Sequence, residues 1–292
     1  MKRIAVVGLP YFGTRVASSL IGAGFDARFV PSPRSGLIRN PLAATHLWKA
    51  DLTYGIGSSI ERSSPLDLIA RSGRRVLMHW VGSDVLYARR AERRGRVSAR
   101  LRRVAHWADA PWLIRELDPL SLKVQEHPLP MPIAVGQPLP MPAEPAVLIF
   151  LPASPHRAYD VEGTRAVVDG LPEVQFLLVG GYTMDAANVQ NLGFVTDMAA
   201  AYARSSLFLR LVRHDGLSHS VIEALSYGRQ VAWNYELPGV TRVGTAGEAI
   251  TAVRAHVEGQ LNLNEAGVET SARYRPERVV AEATNAIEAL IP

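Results

Sequence analysis

The chain has 292 residues, of which 48% are hydrophobic and 20% are charged, a composition that is typical of globular proteins and excludes an extended disordered chain. It contains no cysteine, which excludes disulfide bonds and thiolate zinc sites and favours a cytoplasmic setting. No apolar run reaches the roughly 18 residues of a membrane span, and "MKRIAVVGLP" is too short to predict a signal peptide.

The charge is unevenly distributed along the chain. Residues 1–126 carry 21 Lys and Arg against 10 Asp and Glu, whereas residues 127–292 carry 11 against 17. Residues 89–103 alone hold eight arginines and one acid. Such a run is either a solvated helix face or a surface that docks on an anionic membrane. Nucleic acid is not an expected partner, because no aromatic residues are interleaved with the arginines.

The first half of the chain predicts alternating strands and helices. "RIAVVG" at 3–8 indicates a buried parallel strand, followed by a glycine loop, a helix over 13–23 and a strand at 27–30. This pattern is a βαβ unit. Further strands are predicted at 52–57, 74–80 and 111–114, and helices at 65–72 and 84–106.

A proline-rich segment separates the two halves. Residues 126–145 contain seven prolines, so they predict an extended linker, placed at 127–145. The alternation then resumes, with strands predicted at 146–152, 174–181, 206–212 and 230–234, and helices at 160–170, 197–205 and 276–290. The predicted organisation is α/β, with domains at 1–126 and 146–275 and a terminal helix, 276–292, that packs back on the first domain.

The segment "RHDGLSHSVIEALSYGRQVAW", residues 213–233, combines a strand end with a helix start. Asp215 and Gly216 come directly before the helix, whose first-turn N–H groups favour a phosphate. Glu223 lies about two turns further on, where it would accept hydrogen bonds from ribose hydroxyls. In the alternative interpretation, Asp215 or Ser218 only caps the helix and Glu223 is solvated.

The same segment resembles the E-x(7)-E motif of retaining GT-B glycosyltransferases, in particular glycosyltransferase family 4. Asp215 and Glu223 fall on its two acids, and Gly216 and Gly228 fall on its glycines. "NLGFVTDMAAAYARSSLFLRL", "PASPHRAYDVEGT" and "HWVGSDVL" are similar to further segments of that family. The resemblance covers nearly the whole chain and implies the GT-B fold, which has two Rossmann-like βαβ domains facing an interdomain cleft.

The resemblance implies roles for residues of the second half. Glu223 would hold the ribose of a nucleotide, Asp215 the hydroxyls of the donor sugar, and Arg157 the diphosphate. No metal and no other cofactor is expected. The other implied nucleotide-sugar-binding residues lie at strand ends and at the helix start: Gly216, Leu217, Ser218, Ser220, Gly180 and Val195.

The resemblance places the acceptor side in the first half. His79 ends an apolar strand, where a neutral imidazole would contact the sugar or the acceptor; the alternative is a hydrogen-bonded histidine in a packed turn. A loop around Gly13, together with Ser83 and Asp84, would lie on the same side. Ser83 or Asp84 is equally explained as a helix cap.

Two positions depart from the family's pattern. Asp215 replaces a glutamate, so its carboxylate reaches one methylene less far. Glu162 stands where the family has a lysine, which reverses the charge beside the expected diphosphate. Either Arg210 or Arg213 takes the place of that lysine, or the loop aligns differently.

These features predict a retaining, metal-independent glycosyltransferase that moves a sugar from a nucleotide-diphosphate donor. The acceptor would be a glycoconjugate, a polysaccharide or a lipid-linked glycan of the cell envelope. Contact with the inner face of the membrane would run through Arg89–Arg103. Two alternatives stay open: a non-catalytic GT-B-like binding or partner subunit, and a GT-B sugar-nucleotide epimerase.

Overall fold

The computed structural model describes residues 1–31 and 41–291. Their contacts divide the chain into two compact units, Met1–Pro132 with Pro276–Pro292, and Ile133–Arg275. Each unit contains one six-stranded sheet, and all the paired strands are parallel. The predicted α/β class with two βα domains is therefore confirmed. Among the described helices, none has both the length and the apolar character needed to cross a bilayer.

The sheet of the first unit has the strand order β2-β1-β3-β4-β5-β6. Its central strands are buried on both faces, which explains their continuous apolar sequences. The strands are β1 Arg3–Gly8, β2 Asp26–Pro31, β3 Leu52–Ile56, β4 Val76–Trp80, β5 Ala105–Ala108 and β6 Val124–Glu126. The helices are α1 Pro10–Gly22, α2 Pro41–Lys49, α3 Pro65–Arg71, α4 Asp84–Arg93, α5 Pro111–Leu117 and, at the other end of the chain, α11 Pro276–Leu290.

The terminal helix α11 belongs to the core of the first unit. Ala283 and Ile287 lie at helical spacing on one face of α11 and are at most 1% exposed. They share a hydrophobic cluster with Val16 and Leu20 of α1 and with residues of β1 and β3. The helix predicted at 276–290 is confirmed, and its apolar stripe accounts for its packing in this unit.

Two predicted elements of the first unit are wrong. The helix predicted over 84–106 ends at Arg93, because Gly95 adopts φ +61° and the N–H of Arg96 bonds the carbonyl of Ala91 at 2.9 Å. The strand predicted at 111–114 is instead the start of α5. Pro111 occupies its first turn, where proline favours a helix. The strand in this region is β5, which precedes Pro111.

Gly13 does not lie in a loop, because α1 begins at Pro10. It is a packing residue of that helix: a Cβ at this position would lie 2.4 Å from the ring of Phe29 in β2. A side chain at this position would force the Phe29 ring to shift, so close packing explains the glycine without a ligand. This location does not support the acceptor-side loop that was predicted around Gly13.

His79 of β4 is buried in the first unit, with 1% of its surface exposed. Its Nδ1 lies 2.6 Å from the hydroxyl of Tyr54, and its Nε2 lies 2.8 Å from the carbonyl oxygen of His127. The carbonyl can only accept, so Nε2 donates and Nδ1 accepts from Tyr54. Both nitrogens are used within the unit, which fits the packed histidine of the alternative interpretation and leaves the ring no donor or acceptor for a substrate.

The sheet of the second unit has the strand order β12-β11-β10-β7-β8-β9. Helices cover its apolar core, which includes Val147, Phe176, Leu209 and Ala232. The strands are β7 Ala146–Phe150, β8 Gln175–Val179, β9 Val189–Gly193, β10 Leu207–Arg210, β11 Gln230–Trp233 and β12 Val240–Arg242. The helices are α6 Val161–Asp169, α7 Met198–Ala203, α8 His219–Ser226, α9 Ala246–Glu258 and α10 Glu265–Ser271.

The proline-rich segment that precedes β7 is bound to the end of α8 by a buried arginine. Arg229 has no exposed surface, and its guanidinium donates to the carbonyl oxygens of Leu139 and Pro140 in this segment and of Ser205 and Tyr227. The segment has no helix or strand to satisfy its own backbone. Arg229 supplies donors that a run of prolines lacks.

We expect Arg229→Met to destabilise the second unit. The methionine fills much of the same space but leaves several buried carbonyl oxygens without a donor, so the loss should be about 2–4 kcal/mol. Urea unfolding would measure it, with Arg254→Met on the exposed face of α9 as the matched control. Equal stability of the two variants would contradict the structural role of Arg229.

The buried His79 should make stability depend on pH. Burial lowers the pKa of His79 from 6.5 to about 3, so the unfolded chain binds a proton below about pH 6.5 that the folded chain does not bind. Stability is therefore lost as the pH falls from 6.5 towards 3. Between pH 7.5 and 5 this residue alone should account for about 2 kcal/mol.

Urea unfolding of His79→Gln at the same two pH values would test this expectation. The variant should lose less stability on acidification than the parent chain, whereas His156→Gln, which changes an exposed histidine, should behave like the parent. An unchanged pH dependence in His79→Gln would show that the histidine is not held neutral by the fold.

Candidate functional site

The carboxyl edge of the second sheet collects the polar residues singled out in the second half. Strand β10 lies between β11 and β7, and the chain runs from its end through a loop into α8. Ser218 is the N-cap of α8 in extended conformation, yet its side chain caps no backbone N–H. Its Oγ instead lies 3.1 Å from Oγ of Ser220. The N-cap side chains of the other four described helices of this unit do accept a backbone N–H.

Asp215 is part of a buried ion pair at this edge. Its Oδ2 accepts from Nε of Arg210 at 2.7 Å, and the two side chains are 19% and 10% exposed, respectively. The backbone N–H of Asp215 donates to the hydroxyl of Tyr235 at 3.0 Å. The guanidinium of Arg210 also lies 5.2 Å from the centre of the Tyr159 ring. Asp215 is thus the anion of a positioned ion pair.

Glu223 lies on α8 and is partly buried in the same unit. Burial raises the pKa of Glu223 to about 7, although hydrogen bonds from the Tyr202 hydroxyl and the backbone N–H of Ala134 act in the opposite direction. The Tyr202 hydroxyl lies 3.5 Å from Oε2 and 3.1 Å from the carbonyl oxygen of Ser220, so its single proton is shared between these two acceptors. The carboxyl group is therefore poised to accept or donate near neutral pH.

The loop that carries Arg157 lies beside the loop that carries Asp215. The N–H of Arg213 donates to the carbonyl of Ala158 at 2.6 Å, and the N–H of Asp160 donates to the carbonyl of Leu211 at 3.2 Å. These bonds bring together two segments that are about fifty residues apart in sequence. Arg157 itself is exposed, as a ligand-binding cation on a loop would be.

Glu162, which stands at the family's lysine position, is paired with Arg213. Nη2 of Arg213 lies 2.9 Å from Oε2 of Glu162, and Nε lies 3.7 Å from Oδ1 of Asp160. The Glu162 side chain is 89% exposed, so the pair is a surface ion pair of small energetic weight. The charge reversal at this position is therefore neutralised within the chain.

The strand ends of β7, β8 and β9 form the remainder of this edge. Gly180 adopts φ +102°, and a Cβ there would lie 2.4 Å from the carbonyl oxygen of Leu151. Its N–H donates to the carbonyl of Gly193 at 2.9 Å. Val195 follows two residues later, beside Phe194, whose side chain is 81% exposed. Gly180 and Val195 thus lie at neighbouring strand ends, as the resemblance implies.

The other predicted residues divide between the two units. Gly216 and Leu217 are buried in the loop before α8, so neither presents a side chain at the surface. In the first unit Ser83 is exposed at the start of α4, and Asp84 accepts from the N–H groups of Val81 and Val85. Burial raises the pKa of Asp84 to about 7. The helix-cap interpretation of Asp84 therefore agrees with its contacts.

Several residues of the edge are not assigned by the sequence analysis. Tyr159, Tyr202 and Tyr235 contact the charged groups, but no local pattern distinguishes them from ordinary core tyrosines. Arg210 was one of two possible substitutes for the family lysine. Among the residues that the structure describes, no group of three or more His, Asp or Glu side chains is arranged to hold a metal ion.

The fold is similar to that of solved glycosyltransferase structures of the GT-B type. Sucrose-phosphate synthase from Thermosynechococcus elongatus matches with a TM-score of 0.69 and 14% identity, over 99% of each chain. HepE from Anabaena, solved with UDP and glucose, matches with a TM-score of 0.67 and 13% identity, over 99% of this chain and 100% of that one.

A glycosyltransferase from Rickettsia africae matches with a TM-score of 0.64 and 12% identity, over 99% of this chain and 98% of that one. Neither a protein-family model nor a curated protein sequence gives a significant match. At these identities the likeness shows the fold: an α/β chain with two parallel six-stranded sheets, of the kind found in GT-B glycosyltransferases.

Proposed function

We propose that the chain is a retaining, metal-independent glycosyltransferase that uses a nucleotide-diphosphate sugar. The observation that carries the proposal is the carboxyl edge of the second sheet, where the start of α8, the largely buried Arg210 and a carboxyl group of raised pKa occur together. HepE, which shares the fold, was solved with UDP and glucose. Parallel α/β sheets bind ligands at this edge.

Each group has a chemical task in this proposal. The first-turn N–H groups of α8 and the side chain of Arg157 bind the diphosphate and stabilise the charge that grows on it when the sugar leaves. Glu223 accepts hydrogen bonds from the ribose, and Asp215 lies next to the sugar. The ribose hydroxyls donate most strongly to Glu223 when its carboxyl group is ionised. Because burial raises the pKa of Glu223 to about 7, the interaction is strongest above neutral pH.

The acceptor is proposed to be a glycoconjugate, a polysaccharide or a lipid-linked glycan. Retention of anomeric configuration and independence from metal rest on the resemblance to glycosyltransferase family 4. The pairing of Glu162 with Arg213 supports activity rather than loss of function, because the charge reversal is neutralised within the chain.

We expect the chain to bind one of UDP, GDP, ADP and dTDP in calorimetric titrations at pH 8 with EDTA present. Glu223→Gln should weaken that binding by about 10- to 100-fold, because the amide keeps the shape but not the charge that ribose hydroxyls contact. Glu269→Gln, on the exposed face of α10, is the matched control and should bind like the parent chain.

Three other results would revise the proposal. No binding of any of the four nucleotides would favour a non-catalytic partner subunit. Binding that EDTA abolishes would contradict independence from metal. Conversion of the bound nucleotide sugar to a different nucleotide sugar, without an added acceptor, would favour the epimerase.

Peripheral contact with an anionic membrane is the second part of the proposal. On α4, Leu86 and Tyr87 are 41% and 70% exposed, and the nearby Arg90, Arg93 and Arg94 are also exposed. Exposed apolar side chains beside arginines favour the interface of a negatively charged bilayer. Arg102 does not contribute, since its guanidinium is held by Glu92 and by the carbonyl of Leu120.

We expect the chain to sediment with phosphatidylglycerol vesicles and not with phosphatidylcholine vesicles at low salt. Replacing Arg90, Arg93 and Arg94 together by Gln should remove about 3 kcal/mol of binding free energy, at about 1 kcal/mol per arginine. The control replaces Arg165, Arg254 and Arg273, which are exposed in the second unit, and has the same net charge. Equal loss in both triple variants would show that only net charge matters.

A further inference from the structure

We propose that the proline-rich segment before β7 positions Glu223, which is the ribose-binding residue of the proposed function. The N–H of Ala134 in this segment holds the Glu223 carboxylate, and the C-terminal half of α8 holds the segment. The inference rests on the proposed function, because it concerns the orientation of a group that would contact the nucleotide. Ala134 is then a positioning residue, which acts on the ligand through Glu223.

The proline-rich segment follows the end of α8 through a series of hydrogen bonds. The N–H of Gly136 donates to Oγ of Ser226 at 2.9 Å, and that hydroxyl donates to the backbone carbonyl of Glu223 at 2.7 Å. The N–H of Leu139 donates to the carbonyl of Tyr227 at 3.2 Å. Each successive bond lies further along both stretches of chain, so the segment is tied to the helix at several points.

Close packing adds to these bonds. A Cβ at Gly136 would lie 2.3 Å from the ring of Tyr227, and that ring stacks on the ring of Tyr202 with 5.0 Å between their centres. Arg229 holds the next part of the segment through two carbonyl oxygens. The backbone on either side of the Glu223 contact is therefore set by contacts that do not involve its carboxylate.

Ala134 occupies a turn position that suits proline. The N–H of Val135 donates to the carbonyl of Ile133 at 2.8 Å, which closes a three-residue turn centred on Ala134. Since φ of Ala134 is negative, this is the inverse γ-turn, whose central φ of about −75° is also accessible to proline. Pro130 lies at the centre of a turn closed by the same type of bond, four residues earlier. In a segment with seven prolines, the alanine keeps a backbone donor, and Glu223 accepts from it.

The contact with Ala134 favours the ionised form of Glu223. Burial raises the pKa of Glu223 to about 7, and the hydrogen bonds from the Tyr202 hydroxyl and from the N–H of Ala134 act in the opposite direction. A donor to a carboxylate stabilises its charged form, which is also the stronger acceptor for ribose hydroxyls. Loss of the Ala134 donor should therefore shift the ionisation of Glu223 to higher pH.

The titratable groups around this carboxylate come from α8 and α7. His219 begins α8 and Tyr227 follows its last residue, each four residues away from the carboxylate, and Tyr202 approaches from α7. Arg210 of β10 and Asp197 before α7 act on these tyrosines. Burial raises the pKa of both tyrosines, so neither titrates between pH 6 and 9.

The test measures how the affinity for a nucleoside diphosphate depends on pH between 6 and 9, with whichever of UDP, GDP, ADP and dTDP the parent chain binds. Ala134→Pro removes the N–H at a turn that accepts proline, so the midpoint of the pH dependence should rise by about one unit. The ionised fraction at pH 7 then falls from about one half to about one tenth, so the affinity should fall by about 5-fold at pH 7 and by less at pH 9.

Two control variants accompany this measurement. Ala134→Ser changes the same exposed residue but keeps its N–H, and it should behave like the parent chain. Glu223→Gln should lose the pH dependence, and a dependence that persists in this variant would belong to His219 and overturn the inference. An unchanged midpoint in Ala134→Pro, or an equal loss of affinity at pH 7 and pH 9, would overturn it while the proposed function stands.

A titration of the free protein separates this inference from the proposed function. The carboxyl-carbon NMR signal of Glu223, identified by its absence in Glu223→Gln, should titrate near pH 7 in the parent chain and about one unit higher in Ala134→Pro. Equal midpoints would overturn the inference. If the parent chain binds none of the four nucleotides, the proposed function fails, while the two titrations still decide whether Ala134 holds the carboxylate.

Discussion

The buried ion pair between Arg210 and Asp215 sets the geometry of the carboxyl edge. Strand β10 brings the guanidinium to the end of the sheet, and five residues further along the chain the Asp215 carboxylate returns to it at 2.7 Å. Removing two charges from water is costly, and a pair of this kind persists only when its geometry is good. The pair ties the loop that leads to α8 to the end of β10, and Glu223 lies on that helix.

The second unit contains two buried arginines with different tasks. Arg229 satisfies backbone carbonyl oxygens of the proline-rich segment, and it has no exposed surface. Arg210 has an acid as its partner and lies at the sheet edge where parallel α/β folds bind ligands. Both guanidinium groups are largely buried, so they differ mainly in their partners, which are carbonyl oxygens for Arg229 and a carboxylate for Arg210.

The sequence predicts the architecture well because parallel strands in a βα fold leave a strong local pattern. The strands at β1, β3, β4, β7, β8, β10 and β11 are continuous apolar runs, and each was identified from its own residues. Strand β9, "VQNLG", is a half-exposed edge strand without that pattern, and it was not predicted. The end of α4 at Arg93 depends on the positive φ of the nearby Gly95, which an arginine-rich composition does not reveal. The start of α5 at Pro111 depends on a turn within an apolar segment that also resembles a strand.

The site is predictable in part, for a physical reason. Asp215, Gly216 and Glu223 stand within one short segment, so a local resemblance finds them. The partner of each charge lies far away in sequence: Tyr159 for Arg210, Ala134 for Glu223, and Arg213 for Glu162. His79 shows the same limit, because its strand-end position resembles that of a functional histidine until Tyr54 and His127 are placed beside it.

The position of Glu162 shows why such distant partners decide function. Taken alone, an acid where a cation is expected argues against diphosphate binding. Arg213 pairs with Glu162 at the exposed surface, and Arg210 supplies a separate, buried cation at the end of β10. Arg210 and Arg213 are both paired with acids, so the negative charge of Glu162 is compensated within the chain. In the proposed function, Arg157 and the start of α8 then bind the diphosphate.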